Sequence, residues 1–591
     1  MAGAGWIRVP VGDDAARWAT RGCSHKVLLV VHNVTAATRL LDVLPLFHDD
    51  FRVQLLATCP GSSAFRAGLA ELLDAAGVPV LPWEQAVETP VALAVSASFG
   101  GQLRSLSGVL TVLSHGVGYT KKLATPDTRH PTPDTRHPTP DTRHPTAGSG
   151  QERSDPVFGM SPEWLLDENG KPLADALVLS HPEQYERLRT VCPEAAPTAV
   201  LAGDPCWDRL LAARPYRDRF RRALGVGRGQ RLIVLNSTWN PESLFGDGGG
   251  DDVLPSLLPR LTSEFPADEY RLAAVLHPNV WHGHGPGQIR AWLDRARRAG
   301  LALIDPLEGW RQALLAADAV IGDHGSVTYY AAALGTPVLL GAAPLAGLDP
   351  EAPVHAFVST APRLDPALPL RPQLDALVDH HRPHPAPAES VSSAPGESAV
   401  RLRRLFYDRV GIPEPDAPAR LEPLPLPPYE PATRTVPLLV LTRLLGSGEV
   451  SVTRYAGPHP PTDGRGAAHT AVHEDTRETD QLALADVVFR YGDENDPRFV
   501  SPAHWTAEAL TRHPHCALAA YVTGPRSCVI RTRTGTSTRL DAAPGADADP
   551  AAYASALHAW LAAGKSLEEA AAQGLTVRIG TTAHPVRLTP T

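Results

Sequence analysis

Ala319-Val320-Ile321-Gly322-Asp323-His324-Gly325-Ser326-Val327-Thr328-Tyr329-Tyr330, continued by Ala331-Ala332-Ala333-Leu334-Gly335-Thr336-Pro337-Val338-Leu339-Leu340, is the stretch from which the fold is read. It spells a short apolar strand, a tight polar loop, a helix of about ten residues, a glycine stop and a second apolar strand. Ser326 is expected to cap the helix, Gly335 to stand just past its end, and Pro337 to keep it from resuming. The loop 323–326 then lies at the carboxyl end of a strand and the amino end of a helix. Unpaired N–H groups and the helix dipole favour an anion there, phosphate above all. Gly325 would let the backbone approach a ligand closely. A plain strand–helix–strand crossover explains the apolar residues equally well, but it has no need of Asp, His and Ser within four loop positions. Asp323, His324, Gly325 and Ser326 are therefore candidate phosphate-binding residues.

Upstream of this element the same alternation recurs. A strand at 231–235 ends in Asn236-Ser237-Thr238-Trp239-Asn240, one at 270–276 delivers His277-Pro278-Asn279, and one at 301–304 delivers Asp305-Pro306-Leu307. An earlier cycle places strands at 26–33, 51–56, 78–81, 91–96, 109–113, 176–179 and 198–202. Its strand at 109–113 runs directly into Ser114-His115-Gly116-Val117-Gly118-Tyr119-Thr120-Lys121, with Lys122 next. Strands alternating with helices predict parallel sheets whose ligand crevice lies beyond the strands' carboxyl ends. Two such units imply a two-lobed enzyme with its ligand between the lobes.

Three identical copies of Thr-Pro-Asp-Thr-Arg-His-Pro fill 125–145. Proline in every copy forbids a continuous helix, so 123–153 reads as a disordered insert. Prolines crowd 382–432 around a helical segment at 399–410. Its Arg401-Leu402-Arg403-Arg404-Leu405-Phe406 face suits either an acidic membrane surface or, the preferred reading, docking on the lobes. Beyond 432 the pattern changes to strands at 448–455, 485–491, 516–522, 527–534 and 575–579, with a helix at 550–573. The expected organisation is an amino-terminal lobe (1–203), a carboxyl-terminal lobe (204–382), a proline-rich linker (383–432) and an α+β module (433–591) without a legible motif.

Composition narrows the function. A chain of 591 residues with 43% hydrophobic content can build several cores. Net charge −9 and a pI near 6.2 argue against nucleic acid as partner. The six cysteines form no C-x-x-C pair, so neither a disulfide framework nor a cysteine zinc site is expected, and a reducing compartment fits. His282 and His284 lack a third ligand nearby, so no metal is expected either. The start of the chain lacks signal-peptide character, and no apolar run approaches the roughly 20 residues of a membrane span. A cytoplasmic protein is expected, with peripheral contact at the inner face of the membrane as the alternative placement. The excess of Arg over Lys and the many Ala, Pro and Gly fit a GC-rich bacterial genome.

Taken together, the loops resemble those of the CDP-glycerol glycerophosphotransferase family, the teichoic-acid priming and polymerising enzymes. Ser114-His115-Gly116 matches that family's His-Gly loop, and Gly203-Asp204-Pro205-Cys206-Trp207-Asp208 resembles its Gly-x-Pro-Arg-x-Asp junction without the Arg. Ser237-Thr238-Trp239 resembles its Pro-Thr-Trp loop, His277-Pro278 matches its His-Pro pair, and 323–326 resembles its Asp-Tyr-Ser-Ser phosphate loop. The order agrees over residues 100–345. The chain departs at Val117-Gly118, where the family has Thr-Pro, and at Gly325, where it has serine.

The resemblance implies a GT-B-like pair of Rossmann-type parallel-sheet lobes, α/β in class, followed here by the smaller α+β module. It implies transfer of a polyol-phosphate or glycosyl unit from a nucleotide-activated, CDP-glycerol-like donor to a hydroxyl acceptor, lipid-linked in cell-envelope synthesis, with no cofactor. His115 would be the general base, a role that suits a neutral imidazole at cellular pH. His277, Ser326 and the helix N–H groups would stabilise the departing nucleotide. Asp323 would orient His324 or a ribose hydroxyl, while Gly116, Thr238 and Asp305 would face the substrates. The rival readings are a non-hydrolysing sugar-nucleotide epimerase, which would want a carboxylate-rich cleft, and a degenerate two-lobed scaffold with a binding or regulatory role. Oligomeric state is left open by the sequence.

Overall fold

The computed structural model describes residues 5–12, 14–22, 24–114, 117–122, 156–248, 252–446, 448–457 and 465–591. The heptad insert and the pair His115-Gly116 lie outside the described residues.

Strands β1 (His25–Val30), β2 (Val53–Thr58), β3 (Val80–Leu81), β4 (Leu93–Ser96), β5 (Val109–Val112), β6 (Ala176–Leu179) and β7 (Ala199–Leu201) form a parallel sheet in the order β3-β2-β1-β4-β5-β6-β7. Val27 to Val30 and Leu93 to Val95 are buried because helices cover both faces, which explains why these strands read as unbroken apolar runs. Helix α1 (Val34–Val43) follows β1, capped by Asn33, whose side chain accepts the Ala36 N–H at 2.8 Å. Helix α2 (Pro182–Val191) follows β6 and α3 (Pro205–Ala213) follows β7. Each starts on a side-chain cap, His181 or Asp204, with proline next, where a missing N–H does no harm.

The second lobe repeats the plan with β8 (Arg231–Ser237), β9 (Tyr270–Leu276), β10 (Ala302–Leu303), β11 (Ala319–Gly322) and β12 (Val338–Leu340), all parallel in the order β10-β9-β8-β11-β12. Helix α4 (Pro278–His284) follows β9, α5 (Trp310–Ala316) precedes β11, and α6 (Ser326–Ala333) joins β11 to β12. Strand order reverses between β8 and β11, and the loops after these two strands flank the crevice where such sheets bind ligands. Helix α7 (Ser398–Val410) returns to the first lobe. Its Phe406 stacks on Phe47 at 5.4 Å and the Tyr407 hydroxyl donates to Asp50 at 2.9 Å. The Arg401–Phe406 segment thus belongs to a docked helix: Leu402 and Phe406 lie in the first lobe's core.

The carboxyl-terminal module is a closed barrel. Strands β13 (Leu438–Gly446), β14 (Glu449–Tyr455), β15 (Ala467–His473), β16 (Val487–Tyr491), β17 (Leu518–Gly524), β18 (Ser527–Thr532), β19 (Ser537–Ala542), β20 (Leu575–Ile579) and β21 (Thr582–Pro590) close through the β13–β15 pairing. Helix α8 (Pro502–Arg512) packs on β17 from outside, and α9 (Pro550–Ala562) packs against β13, β14 and β16 to β20 within the barrel core. From Ala551 to Leu557 every residue of α9 is buried, as expected of a helix without a polar face. The helix expected over 550–573 is two helices, broken near Gly564 at φ 79°. Four strands and α8 had no counterpart in the sequence reading.

Candidate functional site

Asp323 organises the crevice. It is fully buried, and its Oδ2 accepts the N–H groups of Thr238 (2.8 Å) and Leu244 (3.1 Å), with the Ser237 hydroxyl at 3.2 Å. Its Oδ1 accepts the Gly325 N–H at 2.9 Å. The carboxylate expected to orient His324 or a ribose is thus engaged by its own chain, fastening the loop after β8 to the loop after β11. A second tie lies beneath it, where Asn236 donates to the Thr328 hydroxyl at 2.8 Å.

One expectation for this loop is corrected. Gly325, not Ser326, stands at the N-cap position, at φ −75° and ψ 157°, and Ser326 is the first helical residue. Glycine is required at 325 by a neighbour within the protein: a Cβ there would lie 2.9 Å from Thr238 Cβ and 3.0 Å from Asp323 Oδ1. The main argument for an anion is unaffected, because the first-turn N–H groups of α6 have no acceptor inside the helix. Gly335, at φ 81°, stands just past the end of α6 as expected.

His277 closes β9 and caps α4, its Nδ1 accepting the Asn279 N–H at 3.1 Å. With Nδ1 an acceptor, a neutral ring carries its proton on Nε2. The same His-Pro device starts α2 at His181 and a further helix at His384, so His277-Pro278 also has a purely local explanation. Asp305 is exposed and caps its own turn, Oδ1 accepting the N–H groups of Leu307 (2.8 Å) and Glu308 (3.2 Å). By sheet spacing His277 stands about 10 Å and Asp305 about 14 Å along the strand order from Asp323. The structure therefore gathers Thr238, Asp323, His324, Gly325 and Ser326, sets His277 at a separate position and leaves Asp305 at the sheet edge. His284 stacks edge-on against Trp292 at 4.9 Å, and His282 packs against Gly68 of the first lobe. Among the described residues no group of three or more His, Cys, Asp or Glu could hold a metal ion.

The residue the sequence reading passed over is Lys121. Tyr119, at φ 60°, occupies a conformation costly for a residue with a Cβ and turns the chain toward the second lobe. Arg187 of α2 fixes this turn, donating to the Tyr119 carbonyl at 2.7 Å and to Asp349 at 2.9 Å. Lys121 then bridges Leu348 in antiparallel fashion, flanked by Asp349 N–H to Thr120 O (2.8 Å) and Lys122 N–H to Gly347 O (3.0 Å). Its ammonium lies 5.2 Å from the Trp239 ring centre, and Trp239 meets Phe65 of the first lobe edge-on at 5.4 Å.

Burial dominates the electrostatics here. It lowers the Lys121 pKa against the pull of the Asp323 and Glu242 carboxylates. It also pushes His324, only 5% exposed, down to about 4; Asp323 opposes that shift and Lys121 adds to it. Lys121 and His324, one from each lobe, thus lie close enough to act on each other beside the loop 323–326, with His324 buried and Lys121 half-buried. The Lys121-Lys122 pair following the glycine loop was the available signal.

No family model and no curated protein matches the chain. Among solved structures it is similar to a putative UDP-N-acetylglucosamine 2-epimerase from Listeria monocytogenes, at 14% identity over 68% of this chain and 100% of that one, TM-score 0.38. It is similar to UDP-GlcNAc 2-epimerase from Neisseria meningitidis bound to UDP-GlcNAc, at 11% identity over 65% and 99% of the two chains, TM-score 0.38. It is also similar to the wall teichoic acid polymerase TagF in its H548A form, at 14% identity over 66% of this chain and 90% of that one, TM-score 0.43.

Proposed function

We propose that the chain is a transferase that takes a polyol-phosphate or glycosyl unit from a nucleotide-activated donor and passes it to a hydroxyl. The observation that carries this reading is the approach of Lys121, a half-buried first-lobe lysine, to the buried His324 in the second-lobe loop that leads into α6. Burial opposes charge on both side chains, and an anion between them restores it. A diphosphate supplies that charge and accepts the first N–H groups of α6 as well. The resemblance of the loops favours a CDP-glycerol-like donor and His115 as the base. In the polyol-phosphate case the acceptor oxygen forms a bond to the distal phosphorus, the bridging P–O bond breaks, and CMP leaves while His115 takes the hydroxyl proton. In the glycosyl case the new bond forms at the sugar carbon and a nucleoside diphosphate leaves.

The test is nucleotide release from CDP-glycerol in the presence of a polyol acceptor. Acceptor-dependent CMP is expected. His115→Ala should reduce it about 10²–10⁴-fold with CDP affinity unchanged. Tight CDP binding without release of any nucleotide, across CDP-, UDP- and GDP-linked donors, would replace this reading with the scaffold.

A further inference from the structure

A second cavity, its wall more apolar than polar, lies at the carboxyl ends of the first lobe's strands, and no residue of the loop 323–326 lines it. Arg39, Asp42, Ser114, Ser180, Asp204 and Cys206 line it. Three arginines gather there. Arg209 and Arg311 both donate to Asp42, the latter at 2.7 Å, and Arg311 also reaches Cys206 Sγ at 3.3 Å. Asp204 accepts the Cys206 N–H at 2.8 Å and the Tyr330 hydroxyl. Both carboxylates are therefore engaged elsewhere. Arg39 is left with a 3.7 Å approach to Asp42 and a Trp310 ring 6.0 Å away. Among the described residues, its buried Nε and Nη1 have no hydrogen-bond acceptor.

An unsatisfied guanidinium in such a place is costly, so native structures supply a partner. The surroundings count three guanidinium groups against two carboxylates, so a water would satisfy the donors but leave the excess charge. The free space, about 20 Å³, admits one water-sized or chloride-sized particle and no phosphate ester. We propose that this cavity is a binding site for one small monovalent anion of chloride size, held by Arg39 where the two lobes join. The site ties α1 to the start of α3 and, through Asp42 and Arg311, to α5 of the second lobe. It is independent of the nucleotide reading.

Crystals of the unaltered chain soaked in bromide test this first. An anomalous peak within hydrogen-bond distance of Arg39 Nε and Nη1 is expected; an ordered water there without anomalous signal overturns the site. In solution, replacing sodium gluconate with sodium chloride at equal ionic strength should raise the melting temperature by about 1–3 °C. Arg39→Gln, which leaves Asp42 paired with Arg209 and Arg311, should abolish that rise. An equal chloride response in Arg39→Gln overturns the proposal, and so does stabilisation by inorganic phosphate but not by chloride. A bromide peak without any response to physiological chloride would mark binding at crystal concentration only and would also overturn it.

Discussion

Asp323 and Gly325 show how closely two residues can fix a loop. Three N–H groups converge on one carboxylate, so Asp323→Ala leaves three donors without an acceptor and should cost at least about 3 kcal/mol, read by denaturant unfolding. Gly325→Ala has an acceptable backbone conformation and fails on space alone; about 1–3 kcal/mol is expected, with Thr238 displaced. A loss below about 0.5 kcal/mol would mean that the Thr238 loop yields freely. Histidine burial sets the pH dependence. His324 is held near 4 and His469, in the barrel, near 3, both chiefly by desolvation. Above pH 6.5 either ring is neutral in folded and unfolded chains alike. Between 6.5 and the folded values only the unfolded chain takes up the proton, so stability falls as pH falls, by up to about 1.4 kcal/mol per pH unit for each ring. Melting curves from pH 7.5 to 5 should therefore shift downward, and a flat profile would contradict the burial of these rings.

At the scale of elements, the lobes were legible because parallel strands covered on both faces leave long apolar runs, and because Gly335 and Pro337 punctuate α6. The site loops were legible for the same reason: a strand's end is visible as the point where Val275-Leu276 gives way to His277-Pro278. What that pair does was not legible, since His181 and His384 cap helices with the same dipeptide elsewhere in the chain. Lys121 was missed because its importance depends on a pairing with Leu348, more than two hundred positions away. In the barrel, β15 and β19 carry His, Ser and Arg, and β21 contains Pro585, so their alternation is weak in sequence. The dual reading of His277 can be separated. Asparagine preserves an N-cap, so His277→Asn should stay within about 0.5 kcal/mol of the unaltered stability. If the ring also acts on a donor phosphate, that variant should still lose donor affinity, whereas His181→Asn should lose neither. Unchanged affinity in His277→Asn would leave His277 a cap and nothing more.

Across the whole molecule, three bodies are joined by buried charge. Arg454 of the barrel, fully buried, donates to Asp549 at 2.7 Å within the barrel and at 2.7 Å to Asp268, which belongs to the second lobe. Tyr491 also donates to Asp549 at 2.6 Å. Burial works against the Asp549 carboxylate, but Arg454 and Tyr491 together hold its pKa below the usual range. Arg454→Met strands two buried carboxylates and should cost about 3–5 kcal/mol; a loss under 1 kcal/mol would show that the barrel docks by apolar contact alone. The lobes meet through Trp239 against Phe65 and through Lys121 against the second lobe's crevice, and there the functional reading stands or falls. The deciding measurement is titration calorimetry of CDP and of cytidine into the unaltered chain and into Lys121→Met, which keeps the contact with Trp239. CDP should bind the unaltered chain more tightly than cytidine. Lys121→Met should weaken CDP about 10- to 100-fold and leave cytidine unchanged. Equal affinity for CDP in both proteins would remove the diphosphate from this crevice.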